Sequence, residues 1–280
     1  MMRIDCHTHA FADKIAAKAV AQLINYYHIP TDFGGKLRDL LGVAAEASLD
    51  AIVLLVAATK PEQVRPANDW ILNIARLTPA ELRQISGDAA AKLPQIVPFG
   101  TFHPEDPAWR TEIDRLRAAG FKGIKLHPEF QGIDLADPAL EPFFEEVAAD
   151  FVLMIHMGDP VKTQANFSTP RKLAAILDRF PKLRVIAAHM GGYCFWEEAL
   201  ADLAGREIYL DTSSTLSYID RGLLRRLIAK HGTERILFGS DFPLKSPRQE
   251  LELLAELDWL NATERERILG LNCAELLGIR

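Results

Sequence analysis

Two histidines stand one residue apart in Asp5-Cys6-His7-Thr8-His9, inside a short run that reads as a β-strand. Side chains alternate along a strand, so His7 and His9 project from one face, close together. Two imidazoles so placed are a natural ligand pair for a borderline divalent metal. Later apolar runs close on residues of the same chemistry: His156 in Met154-Ile155-His156, His189 in Ala188-His189 and Asp241 in Gly239-Ser240-Asp241. His103 and His127 also fall at or just beyond strand ends. His28, in a long loop, and His231, at a helix end, read instead as solvated or capping residues. Metal-assisted chemistry is the first expectation.

The elements that must position these residues repeat. Apolar runs at 3–6, 51–57, 95–102, 123–127, 151–156, 184–189, 208–211 and 235–238 read as strands. The segments 107–119, 170–180 and 221–231 between them carry helical spacing, as in Trp109, Ile113 and Leu116. Strands alternating with helices imply parallel βαβ units, and eight of them predict an α/β fold, a (β/α)8 TIM barrel. An open doubly wound sheet is the alternative, but its glycine-rich phosphate loop after the first strand is missing. Connections 10–50 and 58–94 exceed one crossover helix, so extended loops after strands 1 and 2 are expected to form a lid or wall. Residues 244–280 read as two closing helices, and 1–280 as a single domain.

In this fold, active sites lie at the C-terminal strand ends, where the histidines fall. His156 shares the inward parity of Val152 and Met154, and His189 that of Val185 and Ala187. Asp241 is a ligand, a general base or both, with a helix N-cap as the plain structural reading. Alternation places Asp5 on the face of His7, as an acceptor orienting an imidazole or a polar group in the barrel floor, and turns Cys6 away. Lys125 and His127 share a face of strand four. A lysine inside a barrel is costly unless paired or functional. Lys125 could bind a substrate carboxylate, carry a carboxylate modification that bridges two metals, or pair with Asp5 or another interior acid. His103 and Trp196 are further pocket candidates.

Bulk properties set boundaries. A formal net charge of −6, from 32 basic and 38 acidic residues, disfavours sequence-independent nucleic-acid binding. No apolar stretch is long enough to span a membrane, and no basic start precedes an apolar segment, so a cytoplasmic protein acting on a small molecule is expected. Three cysteines, Cys6, Cys194 and Cys273, are too few and scattered for a disulfide framework.

Taken together, Asp5-x-His7-x-His9, His156, His189 and Phe238-Gly239-Ser240-Asp241-Phe242-Pro243 resemble the amidohydrolase superfamily. Within it they are similar to the amidohydrolase-related (amidohydrolase 2) family, the branch that includes aminocarboxymuconate-semialdehyde decarboxylase and several lactone and amide hydrolases. Gly123-Ile124-Lys125-Leu126-His127-Pro128 is similar to that branch's fourth-strand segment. The resemblance implies that His7, His9, His156 and Asp241 hold one divalent metal and that His189 handles water. Zinc suits the nitrogen-rich set; manganese is the alternative, and a second metal would give Lys125 a bridging role. Asp241 and His189 would be the catalytic residues, with Lys125, His127, His103 and Trp196 contacting substrate. The expected reaction is hydrolysis of an amide or an ester or lactone bond in a small carboxylate-bearing molecule. Non-oxidative decarboxylation on the same site is the alternative, and a non-catalytic ligand-binding barrel a third reading. By analogy with related enzymes, a homodimer is possible.

Overall fold

The structure, a computed structural model, describes residues 1–87, 92–163 and 165–279. Eight strands follow one another around the sheet in sequence order: β1 (Ile4–His9), β2 (Ala51–Leu55), β3 (Gln95–Thr101), β4 (Gly123–Leu126), β5 (Val152–Ile155), β6 (Arg184–Ala187), β7 (Tyr209–Asp211) and β8 (Ile236–Leu237). Every neighbouring pair from β1 to β8 is parallel. Closure comes from β1 and the chain leaving β8. Cys6 N donates to Phe238 O at 2.9 Å and His9 N to Phe242 O at 2.8 Å, and Thr8 bridges Phe242. The expected TIM barrel is therefore present.

Two apolar layers follow from strand alternation. Val53, Leu55, Val97, Phe99, Val152, Met154, Ile186 and Leu237 fill the barrel interior. Their neighbours Ile52, Leu54, Ile124, Leu126, Leu153, Ile155 and Ile236 pack outward against the helices. Gly123 has a specific reason: a Cβ there would overlap the Phe99 ring that fills the barrel.

The helices are α1 (Asp13–Tyr27), α2 (Leu37–Glu46), α3 (Val64–Ala75), α4 (Pro79–Ser86), α5 (Trp109–Ala118), α6 (Pro128–Gln131), α7 (Glu141–Val147), α8 (Pro170–Arg179), α9 (Trp196–Asp202), α10 (Arg221–His231), α11 (Pro247–Ala255), α12 (Ala262–Glu266) and α13 (Asn272–Leu277). The two long connections each hold a helix pair, α1 with α2 and α3 with α4. The closing segment holds three α-helices and a π-turn at Arg267–Leu271, not two helices. Among the described residues, no helix is long and apolar enough to cross a membrane.

Several expectations need correction. Val185 and Ala187, expected to share the inward face of His189, pack outward against the helices, and Ile186 and Ala188 face the interior instead. The pairing of β1 with β2 shifts register between Asp5 and Thr8, so strict alternation fails there. Cys6 packs with the barrel-interior residues. Asp5 orients no imidazole: its Oδ1 accepts from the backbone N–H groups of His7 and Ser240, each at 3.0 Å. His231 is not solvated but buried, joining Gly205 N at 3.2 Å to Ile208 O at 3.0 Å. His28 is exposed and ends α1 in a left-handed conformation, as a capping residue should.

Candidate metal centre

The loops after β6, β7 and β8 carry backbone strain. His189 (φ 59°), Met190 (53°), Cys194 (62°), Ser214 (44°) and Asp241 (70°) adopt left-handed conformations that non-glycine residues avoid. Each costs of order 1 kcal/mol or more, which surrounding contacts must offset, and such strain gathers at functional sites.

At Asp241 those contacts are visible. Its N–H donates to His7 O at 2.9 Å, which clips the chain after β8 beside β1. Gly239 permits the approach, since a Cβ there would lie 2.9 Å from the His7 Cβ. Ser214 Oγ donates to Asp241 Oδ2 at 2.6 Å and leaves Oδ1 facing the histidines. Oδ1 lies 3.5 Å from His7 Nε2 and 3.8 Å from His9 Nε2. Ligand atoms of His7, His9 and Asp241 all fall within 4.8 Å of one another. Three protein donors with a remaining open position are the usual make-up of a catalytic zinc site.

The electrostatics suit a cation. Burial, then the Lys125 charge, push the His7 pKa well below its ordinary value, and burial likewise lowers that of His9. Both imidazoles are therefore neutral at neutral pH and keep a lone pair. His7 Nδ1 meets Asp211 Oδ2 at 2.9 Å. With a neutral ring this is a hydrogen bond from Nδ1–H rather than an ion pair, and it aims the Nε2 lone pair at the site. Burial also pushes Asp241 upward, a direction that a bound dication would oppose. Neutral nitrogen donors, a carboxylate oxygen and an orienting carboxylate behind His7 all fit a divalent metal. A second group, His7, His189 and Asp211, gathers around Ser213 instead. Ser213 Oγ lies 3.0 Å from both imidazole Nδ1 atoms and also bonds Asp211, so this group is a hydrogen-bonded support.

Lys125 is fully buried, with Nζ 3.1 Å from His7 Nε2. Burial lowers its pKa, while Asp211 and Asp241 pull the other way. The ion pair with Asp5 considered from the sequence does not form. Among the described residues Asp5 Oδ2 has no hydrogen-bond partner, and burial pushes the Asp5 pKa up to about 7.

His156 and His189 lie on the other side of the mouth, in a directed hydrogen-bond chain. Phe130 N–H donates to His127 Nδ1 at 3.4 Å, so His127 Nε2–H faces the Tyr27 hydroxyl at 3.0 Å. The Tyr27 hydroxyl meets His156 Nε2 at 3.3 Å, and His156 Nδ1 meets His189 Nε2 at 2.9 Å. His189 Nδ1 ends the chain on Ser213 O at 2.9 Å. Fixed backbone groups at both ends assign every tautomer between them. His127 stacks between Phe130 and His156, with centroids 4.1 Å and 3.9 Å away. The structure thus brings His7, His9 and Asp241 together, with His189 and Lys125 beside them. It places both His156 nitrogens against other partners. Trp196 Nε1 donates to His189 O at 3.0 Å and supports that loop. His103 bonds Gln131 O and Glu105 N, each at 3.3 Å, and belongs to a neighbouring loop network.

Sequence reasoning missed Asp211, Ser213, Ser214 and Tyr27. Asp211 carried the same signal as its neighbours, a titratable residue closing a strand. Tyr27 carried none, because nothing in α1 shows that its last turn reaches the barrel mouth.

The amidohydrolase family model (Amidohydro_2) matches residues 4–279. No curated relative matches the chain. Among solved structures, 2,6-dihydroxybenzoate decarboxylase from Rhizobium is 16% identical with TM-score 0.69, over 100% of this chain and 99% of its own. A dihydroxybenzoic acid decarboxylase from a Polaromonas species, with bound manganese and an inhibitor, is 16% identical with TM-score 0.68, over 99% and 97%. A putative 2-pyrone-4,6-dicarboxylic acid hydrolase from Pseudomonas putida is 18% identical with TM-score 0.67, over 99% and 97%. These likenesses match the barrel. The family match spans nearly every residue, including the three converging ligands, and on that basis the chain belongs to the amidohydrolase family.

Proposed function

We propose that this protein is a metal-dependent hydrolase that opens an amide, ester or lactone bond in a small carboxylate-bearing molecule. The supporting observation is the convergence of His7 Nε2, His9 Nε2 and Asp241 Oδ1 within 4.8 Å, with the second Asp241 oxygen held by Ser214. When bound there, a divalent metal supplies Lewis acidity, which lowers the pKa of water and polarises a carbonyl. Zinc suits the ligand set, with manganese as the alternative.

The protein's own groups complete the reaction. Asp241 Oδ1 takes a proton from the attacking water as its oxygen bonds the carbonyl carbon. The same proton then passes to the leaving nitrogen or oxygen as its bond to carbon breaks. Burial pushes His189 down to about 4, so its ring is neutral. With Nδ1 fixed on Ser213, Nε2 is the ring atom that can orient water, at the expense of its contact with His156. His7 stays in register because Asp211 holds it.

Decarboxylation is the second reading, supported by the likeness of the barrel to solved decarboxylases. Asp241 would then protonate the carbon that loses carbon dioxide. Assays of metal-loaded protein in oxygen-18 water separate the two. Label in the product carboxylate, without carbon dioxide release, supports hydrolysis. Carbon dioxide release from aromatic acids, with no turnover of lactones or amides, overturns it.

A further inference from the structure

Lys245 stands at the mouth of the site without an acidic partner. It lies in the loop between β8 and α11, four residues after Asp241, and is half-buried. Among the described residues no carboxylate lies within 4.0 Å of its ammonium and no acceptor bonds it; the acids that feel its charge are Asp241 and Glu250, neither in direct contact. Its Nζ rests 4.6 Å from the ring centre of Tyr218.

Tyr218 is 43% exposed, which is unusual for a large aromatic ring. It follows Ser214 by four residues, and Ser214 holds Asp241 Oδ2 at 2.6 Å. Leu244 N donates to Asp241 O at 2.9 Å, a tight turn that sets the direction of the chain just before Lys245. Both members of the Lys245–Tyr218 pair thus lie within four residues of a group that bonds Asp241, Leu244 at its backbone carbonyl and Ser214 at its carboxylate. From Tyr218 the wall continues inward: its ring meets Tyr193 edge-on at 6.0 Å, and Tyr193 meets His189 at 6.1 Å and Tyr27 at 6.0 Å. Leu244 packs with Tyr27, Ile29 and Tyr193 beneath this surface. An apolar, largely aromatic wall thus runs from the imidazoles to one unpaired cation.

Lys125, the other lysine considered as an anchor, is fully buried and engaged with His7 Nε2, so it is poorly placed to receive a ligand arriving from solvent. We propose that Lys245, seated on the Tyr218 ring, anchors a carboxylate of the substrate while Tyr218 and Tyr193 contact its planar body. This assignment rests on the reading of the chain as a metal-dependent enzyme acting on a small acid.

The test is calorimetric titration of the metal-loaded full chain with benzoate, isophthalate and terephthalate at low salt. One carboxylate of a dicarboxylate is expected on the metal side and the other on Lys245. At least one dicarboxylate is expected to bind roughly tenfold or more tighter than benzoate, the scale of a charge-assisted hydrogen bond. That gain should vanish in Lys245→Met and largely persist in Lys245→Arg. Tyr218→Leu should weaken all three ligands by a few-fold. Equal affinities in the wild type, no binding of any of the three, or a gain that survives Lys245→Met each overturn the assignment. The outcomes remain separable from the functional reading. A wild type that takes up no metal refutes that reading, whereas a metal-loaded, hydrolytically active enzyme whose dicarboxylate gain ignores Lys245→Met refutes the anchor alone.

Discussion

The two sides of the barrel mouth use histidine in opposite ways. Between β1 and the end of β8, the Nε2 atoms of His7 and His9 face Asp241 Oδ1 at 3.5 Å and 3.8 Å, too far to bond it directly. Across the mouth, His127, His156 and His189 are consumed in a hydrogen-bond chain that starts at a backbone N–H and ends at a backbone carbonyl. His9 is 14% exposed and the other four rings are buried, and burial keeps all five neutral, so burial alone does not make a metal site. The difference lies in what satisfies the second nitrogen. Asp211 occupies His7 Nδ1 from behind and leaves Nε2 aimed inward, 3.1 Å from the Lys125 ammonium, a contact that a bound metal would replace, whereas His156 Nε2 meets Tyr27 and its Nδ1 meets His189.

The largest expected effect comes from the first side. Asp241→Asn keeps the shape but removes the base, and should lower kcat by about 10²–10⁴-fold. Steady-state assays on metal-loaded protein check this, and a loss below tenfold would remove Asp241 from proton transfer. Asp211→Asn should weaken metal affinity by roughly 10–100-fold by loosening the hold on His7. Competition with a chelator measures it, and unchanged affinity would mean that His7 is oriented by something else. Tyr27→Phe acts on the second side. It should change metal affinity by less than about threefold, since a single neutral hydrogen bond is lost outside the ligand group. A larger gain in affinity would show that the tyrosine withholds His156 from the metal.

The smallest effect on the site is a change in stability. Glu250 is buried, its Oε2 lacks a partner among the described residues, and burial pushes its pKa up to about 8. The folded state then holds a proton that the unfolded state releases above the ordinary glutamate value. Stability is accordingly kept at low pH and lost as pH rises through that interval toward 8. Glu250→Gln should gain on the wild type by on the order of 2 kcal/mol between pH 5 and pH 8. Urea unfolding at both values checks it, and parallel pH profiles would contradict it.

Much of this was legible in the sequence because a TIM barrel turns strand order into geometry. Once eight apolar runs were placed, the residues closing them had to share one rim. His7, His9, Lys125, His189 and Asp241 followed from that rule. Parity failed at Asp5 and Cys6 because a register shift in β1 is a matter of pairing, not of local pattern, and at His189, which reaches the mouth through a left-handed turn beyond the strand although Val185 and Ala187 pack outward. The position of Tyr27 was illegible because it depends on how α1 docks over the barrel, a tertiary contact between His127 and a residue 100 positions away. The occupied state of His156 followed from that same contact and was hidden with it.

The central claim is that metal binds at His7, His9 and Asp241. Elemental analysis of protein purified without added metal tests it most directly, comparing wild type, His7→Ala/His9→Ala and His156→Ala. About one divalent ion per wild-type chain is expected, with nearly complete loss in the double variant and substantial retention in His156→Ala. No metal in the wild type, or a double variant that keeps its metal while His156→Ala loses it, would contradict the account.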